Sequence, residues 1–394
     1  MNGNVSSKRV VMVTNMLPPY RVSFYLALSR LIDFRLVLDT VSEFNRSWAL
    51  PEEAKQLNYT VQNCRSFVYR RHRDDVGYVE KRQFQFSEQT LPLLAEIKPD
   101  AVISIEFGLK SLWSILYGWV YRVPVILMSE GTMHTEGHVG GIKRLIRRWI
   151  VSQCSRYWSN GPDSTELLVS YGADASLVDE GMTGIDTREW TEAVSGLLPQ
   201  REAIRQQWGL SGRVMLFSGS LSPRKGVMLL LKAIEQWRAG GSEMDFTLLL
   251  LGDGEEKKAV EDWCQRNPSI RVVMPGFIQP QDLPPFFAAA DWAVLPTLDD
   301  NWPLATLETL VAGLPQLFST YNGATADLCM PETGIAFDPL DQADFVRALQ
   351  KFEAAPEGRI PAEIVRSISD HYSAEGQAQR AKRSLNKVLG IVES

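Results

Sequence analysis

The sequence predicts an α/β architecture of two doubly wound parallel sheets, and three observations carry that expectation. In the first half, β-rich runs alternate with longer helical patterns: RVVMV at 9–13, RLVLD at 35–39, DAVISIE at 100–106 and VPVILM at 123–128. A second series follows in RVMLFSG at 213–219, FTLLLLGDG at 246–254, IRVVMPG at 270–276 and WAVLP at 292–296. Strands that alternate with helices build a parallel sheet covered on its faces. The length of 394 residues exceeds the size at which a single core stops growing, so two domains are expected.

Gly196, Pro199 and mixed polar residues place the junction within 194–212. The expected division is 1–196, then 197–372, then a helical segment 373–394 packing back toward the first domain. That last segment, AEGQAQRAKRSLNKVLGIV at 374–392, has sparse apolar positions and reads as one or two exposed helices.

Composition narrows the function. Lys and Arg number 41 against 47 Asp and Glu, a net charge of −6, which gives no global reason to bind nucleic acid. Cys64, Cys154, Cys264 and Cys329 are scattered and fit neither a disulfide framework nor metal-ligand spacing. A reducing cytoplasm is the simplest setting. The N-terminal apolar run is too short for a signal peptide and reads as a first strand. SLWSILYGWVYRVPVILM at 111–128 is broken by Arg122 and Pro124 and reads as a buried helix followed by a strand, not as a membrane span.

Ligands of open α/β sheets bind at the carboxyl ends of the strands, so function is sought in the loops that follow them. GIKRLIRRWIVSQC at 141–154 spaces Ile142, Leu145, Ile146, Trp149 and Ile150 helically, with Lys143, Arg144, Arg147 and Arg148 between them. One reading of residues 142–150 is peripheral contact with anionic lipid at the cytoplasmic face of a membrane. The favoured one is a core-packed helix with a solvated cationic face.

After RVMLFSG comes SLSPRKG, with Ser220, Ser222, Arg224 and Lys225 ahead of the apolar helix VMLLLKAIEQW. Backbone amides, a helix N-terminus and Lys225 can together hold a diphosphate. The loop does not match the Walker spacing, and an ordinary βα connection with surface cations is the alternative. Downstream, DWAVLP reads as a buried strand, and DNWPLATLE at 300–308 spaces Asp300 from Glu308, the first in a loop and the second one turn into a helix. Both carboxylates can then face one cleft and serve a sugar nucleotide; a solvated acidic loop is the alternative.

Taken in order, SGSLSPRKG at 218–226, LLGDGEE at 250–256, VVMPGFIQPQDLPPFFAAADWAVLPT at 272–297 and DNWPLATLETLVAGLP at 300–315 resemble the retaining glycosyltransferases of family 4, the group 1 glycosyltransferases of GT-B fold. A weaker likeness lies in NGPDSTELLVSYGA at 160–173 and GIDTREW at 184–190. The resemblance implies two Rossmann-like domains facing across a cleft, the first binding the acceptor and the second the nucleotide sugar.

It further implies that Glu308 holds the donor ribose and that Asp300, where the family usually has Glu, orients the transferred sugar. Lys225 would neutralise the diphosphate, and amides near Leu304 and Ala305 would add hydrogen bonds. The turn Gly276–Phe277–Ile278 would border the base. Ser220 follows Gly219 where an arginine is expected, and Arg224 can reach in from the same loop. Pro303 replaces a glycine. Glu130 stands near the position of a family histidine and is assigned to the acceptor side or the sugar rim; His134 and His138 follow it. Tyr20 and Arg21, in PPYR, line the acceptor cleft or else form a rigid turn with Arg21 exposed. His72, in the charged segment RRHRDD, is read as part of a mobile loop and given no role.

The expected activity is metal-independent, retaining transfer of a sugar from a nucleoside-diphosphate sugar, without a cofactor. The expected acceptor is a glycan, lipid-linked or small-molecule hydroxyl, and the expected setting is polysaccharide, lipopolysaccharide or other glycan synthesis. No D-x-D triplet occurs, and no His or Cys spacing suggests a metal site. The alternatives are a catalytically degenerate nucleotide-sugar-binding protein and a sugar-nucleotide epimerase or hydrolase of the same fold.

Overall fold

The computed structural model describes residues 8–41, 50–73, 76–136, 139–182, 185–356 and 358–392. Two compact units divide them. The first takes residues up to 73, 79–186 and 371 onward; the second takes 74–78 and 187–370.

Strands are numbered in chain order. The first unit holds β1 (Arg9–Thr14), β2 (Asp33–Leu38), β3 (Tyr59–Val61), β4 (Arg65–Arg73), β5 (Tyr78–Phe86), β6 (Ala101–Ile105), β7 (Val125–Ser129), β8 (Arg156–Ser159) and β9 (Val178–Asp179), Tyr78 itself falling in the second unit. The second unit holds β10 (Arg213–Ser218), β11 (Phe246–Leu251), β12 (Arg271–Gly276), β13 (Trp292–Leu295), β14 (Gln316–Ser319) and β15 (Gly334–Phe337). The order in the first parallel sheet is β3-β2-β1-β6-β7-β8-β9, and in the second β12-β11-β10-β13-β14-β15. β4 and β5 form a separate two-stranded sheet. His72 lies on β4, which corrects its reading as a loop residue.

Both large sheets are covered on two faces, and for that reason their strands are continuous apolar runs. Successive side chains point to opposite faces. Along β1, Val10 and Met12 enter one cluster while Val11 and Val13 enter another. Along β10, Met215 and Phe217 lie on one side, Val214 and Leu216 on the other. Strands β10 to β13 correspond to the second series of apolar runs. In β14 only Leu317 and Phe318, and in β15 only Ile335 to Phe337, form an apolar run, too short to be read from sequence.

The units part at Asp186/Thr187, ahead of the junction sought at 194–212. The helix Thr187–Leu197 packs with the second unit because Val194 is buried there and the Trp190 ring meets Phe287 edge-on at 5.1 Å. The Trp190 indole also donates to the Glu308 carbonyl at 2.9 Å.

Three helices differ from the sequence reading. Ala374–Leu389 is one helix with a buried face: Ala374, Ala378, Ala381 and Leu385 pack into the cluster around β1. Small residues let the backbone approach closely, so low hydropathy concealed a core helix. Leu109–Tyr121 buries only the face bearing Ser111, Ser114, Ile115, Tyr117 and Gly118, leaving Trp119, Val120 and Tyr121 exposed. Gly141–Ser152 buries Ile150 and Val151, while Ile142, Leu145, Ile146 and Trp149 are exposed, against the core-packed reading.

Leu385→Ala is expected to cost about 2–5 kcal/mol through the cavity it leaves. The exposed Arg383→Ala on the same helix should change stability by about 0.5 kcal/mol or less. Denaturant titration of both variants, followed by circular dichroism, checks the contrast.

Candidate functional site

In the second sheet the strand order reverses beside β10, whose neighbours are β11 and β13. Such a switch point opens a crevice at the carboxyl ends of the strands. The loop after β10 carries Gly219 to Gly226, and the loop after β13 carries Pro296 to Pro303.

Close backbone packing builds the first of these loops. A Cβ on Gly252 would collide with the Gly219 carbonyl, and one on Gly254 with the backbone of Leu221. The glycine-aspartate-glycine turn after β11 therefore lets two loops lie backbone against backbone. Gly226 has φ +71° and faces the Pro296 carbonyl, again with no room for a side chain. It ends the turn Pro223–Lys225 and starts the helix Val227–Ala239. Arg224 and Lys225 are thereby held against the β13 loop, where the Leu298 amide donates to the Arg224 carbonyl at 2.8 Å.

Charge joins the two loops. Lys225 Nζ lies 2.5 Å from Asp300 Oδ2, and Arg224 Nη1 lies 3.1 Å from the same oxygen and 2.8 Å from the Asp299 carbonyl. Burial alone would raise the Asp300 carboxyl, but the Lys225 and Arg224 cations hold it below the ordinary carboxylate range. Neighbouring backbone fixes the loop: the Gly323 amide donates to the Asp300 carbonyl at 3.0 Å, and the buried Asn322 side chain donates to Thr306 Oγ1 at 2.9 Å. The Tyr78 hydroxyl donates to Asp299 Oδ2 at 2.8 Å.

Glu308 sits in the helix Leu304–Val311. Burial pushes its carboxyl up to about 7, with the Lys225 charge acting in the opposite direction. The two acidic residues are therefore electrostatically distinct: among the described residues Asp300 is ion-paired and Glu308 is not. Pro303 precedes the helix without a side-chain cap. Gly219 lies under the Lys225 methylenes, with a Cβ there 3.8 Å from Lys225 Cδ. Ser220 is exposed and shares a hydrogen bond with Ser222 at 2.9 Å. Phe277 is exposed, whereas Ile278 packs against the apolar cluster of the second unit. Leu304 and Ala305 occupy the first turn of the Glu308 helix.

The first sheet has its own switch point beside β1, between β2 and β6. Arg21, in the turn Pro19–Arg21 after β1, is buried and ion-paired with Glu130 at the end of β7. This excludes the reading of PPYR as a turn with Arg21 exposed. Burial opposes the guanidinium charge, but Glu130 together with Tyr25 and Tyr20 outweighs it, so Arg21 stays protonated. Tyr20 is half-buried beside it.

Sequence reasoning missed Glu106. It directly follows β6, has φ +61°, and accepts the Glu130 amide on Oε1 at 2.7 Å. Burial and then the Glu130 charge raise its carboxyl to about 7. The final residue of DAVISIE marks a strand end, the one signal in the sequence; its left-handed backbone is not legible there. His134 lies in the short helix Met133–Glu136, and its ring nitrogen is 3.3 Å from Arg73 Nη2. His138 and Gly184 lie outside the described residues. Among the described residues no cluster of three His, Cys, Asp or Glu is placed to hold a metal, and no helix is long and apolar enough to cross a membrane.

Residues 200–363 match the family model described as glycosyl transferases group 1. A D-inositol 3-phosphate glycosyltransferase of Pseudarthrobacter chlorophenolicus is 26% identical over 270 residues, spanning 61% of this chain and 62% of the relative. A mannosylfructose-phosphate synthase of Agrobacterium fabrum is 25% identical over 158 residues, covering 38% of this chain and 35% of its own length. The matches to these relatives thus span less than two thirds of their lengths. Among solved structures, HepE of Anabaena in complex with UDP aligns with TM-score 0.70 and 17% identity over 96% of this chain and all of its own. The lipopolysaccharide outer core galactosyltransferase WaaB aligns with TM-score 0.69 and 13% identity over 96% of this chain and 99% of its own. The architecture is the GT-B fold.

The Asp300 pair yields a signed pH prediction. A carboxyl held below its unfolded value stabilises the fold above that value, about pH 4, and the contribution is lost as pH falls through the lower folded pKa. Asp300→Asn should destabilise the chain by about 1–3 kcal/mol near neutrality. The deficit in melting temperature relative to the parent should shrink on acidification. A deficit independent of pH would show that the ion pair contributes nothing.

Proposed function

We infer from the match of residues 200–363 to the family model of glycosyl transferases group 1 that this chain transfers a sugar from a nucleoside-diphosphate sugar to a hydroxyl acceptor. One observation carries the reading: two loops at the second sheet's switch point bring Lys225, Arg224 and Asp300 together, with Glu308 one turn into the adjoining helix. We assign polysaccharide, lipopolysaccharide or another glycan as the product and retention as the stereochemical course.

Lys225 and Arg224 stabilise the leaving diphosphate as the bond from the anomeric carbon to phosphate oxygen breaks. The acceptor oxygen bonds to that carbon on the same face, and its proton passes to the departing phosphate. No protein base is needed, and positioning supplies much of the acceleration. Asp300 orients sugar hydroxyls, Glu308 accepts the ribose hydroxyls, and the Leu304 and Ala305 amides face phosphate. Phe277 and Ile278 border the base. Ser220 leaves one cation fewer in the loop than the family pattern, with Arg224 in compensation. In the first unit, Glu130, with Arg21, Tyr20 and His134, is assigned to the acceptor side. Metal- and cofactor-independent transfer is part of this proposal, in keeping with a sequence that has no D-x-D triplet.

Thermal stabilisation by a panel of UDP-, GDP- and ADP-sugars tests the site, with Glu308→Ala as the variant expected to abolish the shift. Turnover on the same panel with candidate acceptors separates transfer from binding alone, and sugar-nucleotide breakdown without an acceptor would favour the hydrolase reading. EDTA should leave transfer unchanged; its loss, restored by a divalent ion, would refute metal independence. Glu308 has a carboxyl raised to about 7, and its ionised form is the stronger acceptor for a hydroxyl. Donor affinity, measured by calorimetry, should therefore rise as the pH passes upward through that value, and Glu308→Gln should flatten the rise.

A further inference from the structure

The helix Gly141–Ser152 turns its apolar face away from the protein. Ile142, Leu145, Ile146 and Trp149 recur at the spacing of one helical face, yet Ile142 is 77% and Leu145 67% exposed. Ile150 and Val151 face the body, as does a cation. Arg147 Nη2 donates to Glu136 Oε2 at 2.7 Å, Nη1 donates to the Tyr171 hydroxyl at 3.0 Å, and the guanidinium carbon lies 5.0 Å from the Phe107 ring centroid. At 3.6 residues per turn, the outward apolar arc lies roughly a third of a turn from the side that touches the body. A helix serving only to cover a sheet would have the opposite orientation.

A second helix extends the patch. Leu109–Tyr121 ends in Trp119, Val120 and Tyr121, all exposed, and the Trp119 and Trp149 rings meet edge-on at 5.6 Å. Each large apolar side chain left in water forgoes about 1.5–3 kcal/mol relative to full burial. Contiguous exposed apolar surface of this kind marks an interaction site.

Charge identifies the occupant. Arg122, Lys143, Arg144 and Arg148 are exposed on these two elements, and neither 109–122 nor 141–152 contains an acidic residue. The chain as a whole carries −6, so this cationic, aromatic and aliphatic surface is a local feature. A second copy docking through the same patch would set these cations against one another. An anionic bilayer accepts both components: aliphatic side chains enter the acyl boundary, indole rings sit at the headgroups, and arginine and lysine reach lipid phosphate.

We propose that the exposed faces of helices Gly141–Ser152 and Leu109–Tyr121 form a peripheral docking surface for anionic lipid. The proposal stands independently of the transferase reading, since it concerns binding to a surface and not turnover.

Flotation of the full chain with vesicles tests it. Vesicles of phosphatidylcholine with about one-third phosphatidylglycerol should carry the protein upward, pure phosphatidylcholine should carry far less, and high salt should release it. Ile142→Ser with Leu145→Ser, and separately Arg144→Glu with Arg148→Glu, should each reduce binding about tenfold or more. Unchanged melting temperatures of these surface variants would show that the fold is intact, and Trp119→Ala supplies a further variant on the other helix. No flotation, or flotation indifferent to all three variants, overturns the proposal. So does a concentration-dependent dimer in vesicle-free sedimentation that Ile142→Ser with Leu145→Ser abolishes, because the patch would then belong to a second copy.

Discussion

The ion pair between Lys225 and Asp300 is the contact on which the organisation of the second unit turns. It joins the loop after β10 to the loop after β13, the two strands flanking the reversal of sheet order. A parallel sheet gathers its loops at the carboxyl ends, but it does not by itself give them a shared chemistry. The close approach of Gly252 and Gly254 to the loop after β10, and of Gly226 to Pro296, removes the side-chain volume that would separate them. Charge then fixes what packing permits. Asp300 stays ionised because two cations outweigh its desolvation, whereas Glu308 lacks a comparable partner and shifts the other way. Two carboxylates in one short motif thus acquire different electrostatic characters from their surroundings.

The pattern in the sequence reached far into the second unit and less far into the first. Buried strands such as β10, β11 and β13 are continuous apolar runs because both faces are covered, and such runs are visible without coordinates. The loop residues Arg224, Lys225 and Asp300 were legible because strand, small-residue loop and helix follow in order. Glu106 was not, since its contribution depends on a left-handed backbone and on the Glu130 amide, a neighbour 24 positions away.

Orientation was the other blind spot. Periodicity locates the apolar stripe of a helix but not the direction in which the protein turns it. In Gly141–Ser152, the pairing of Arg147 with Glu136 and Tyr171 settles that direction, and no sequence spacing encodes it. The opposite error arose at Ala374–Leu389, where alanines conceal a buried face. Small side chains contribute little hydropathy individually yet allow a helix to lie close against its neighbours. Hydropathy therefore overestimated burial in the first helix and underestimated it in the second.

The two units share a construction despite their different residues. In each, a cation supplied after the first strand of the sheet pairs with a carboxylate from beyond the switch point: Arg21 with Glu130, Lys225 with Asp300. The first unit uses a planar guanidinium, weakly hydrated and suited to burial, which also reaches toward the Met182 carbonyl at 3.5 Å. The second uses a flexible ammonium with Arg224 beside it on the same carboxylate oxygen. Rigid burial favours a fixed structural polarity, whereas in the second unit a lysine and an arginine converge on one carboxylate oxygen. The same sheet topology thus supports a single buried guanidinium pair in one unit and a two-cation cluster on one carboxylate in the other.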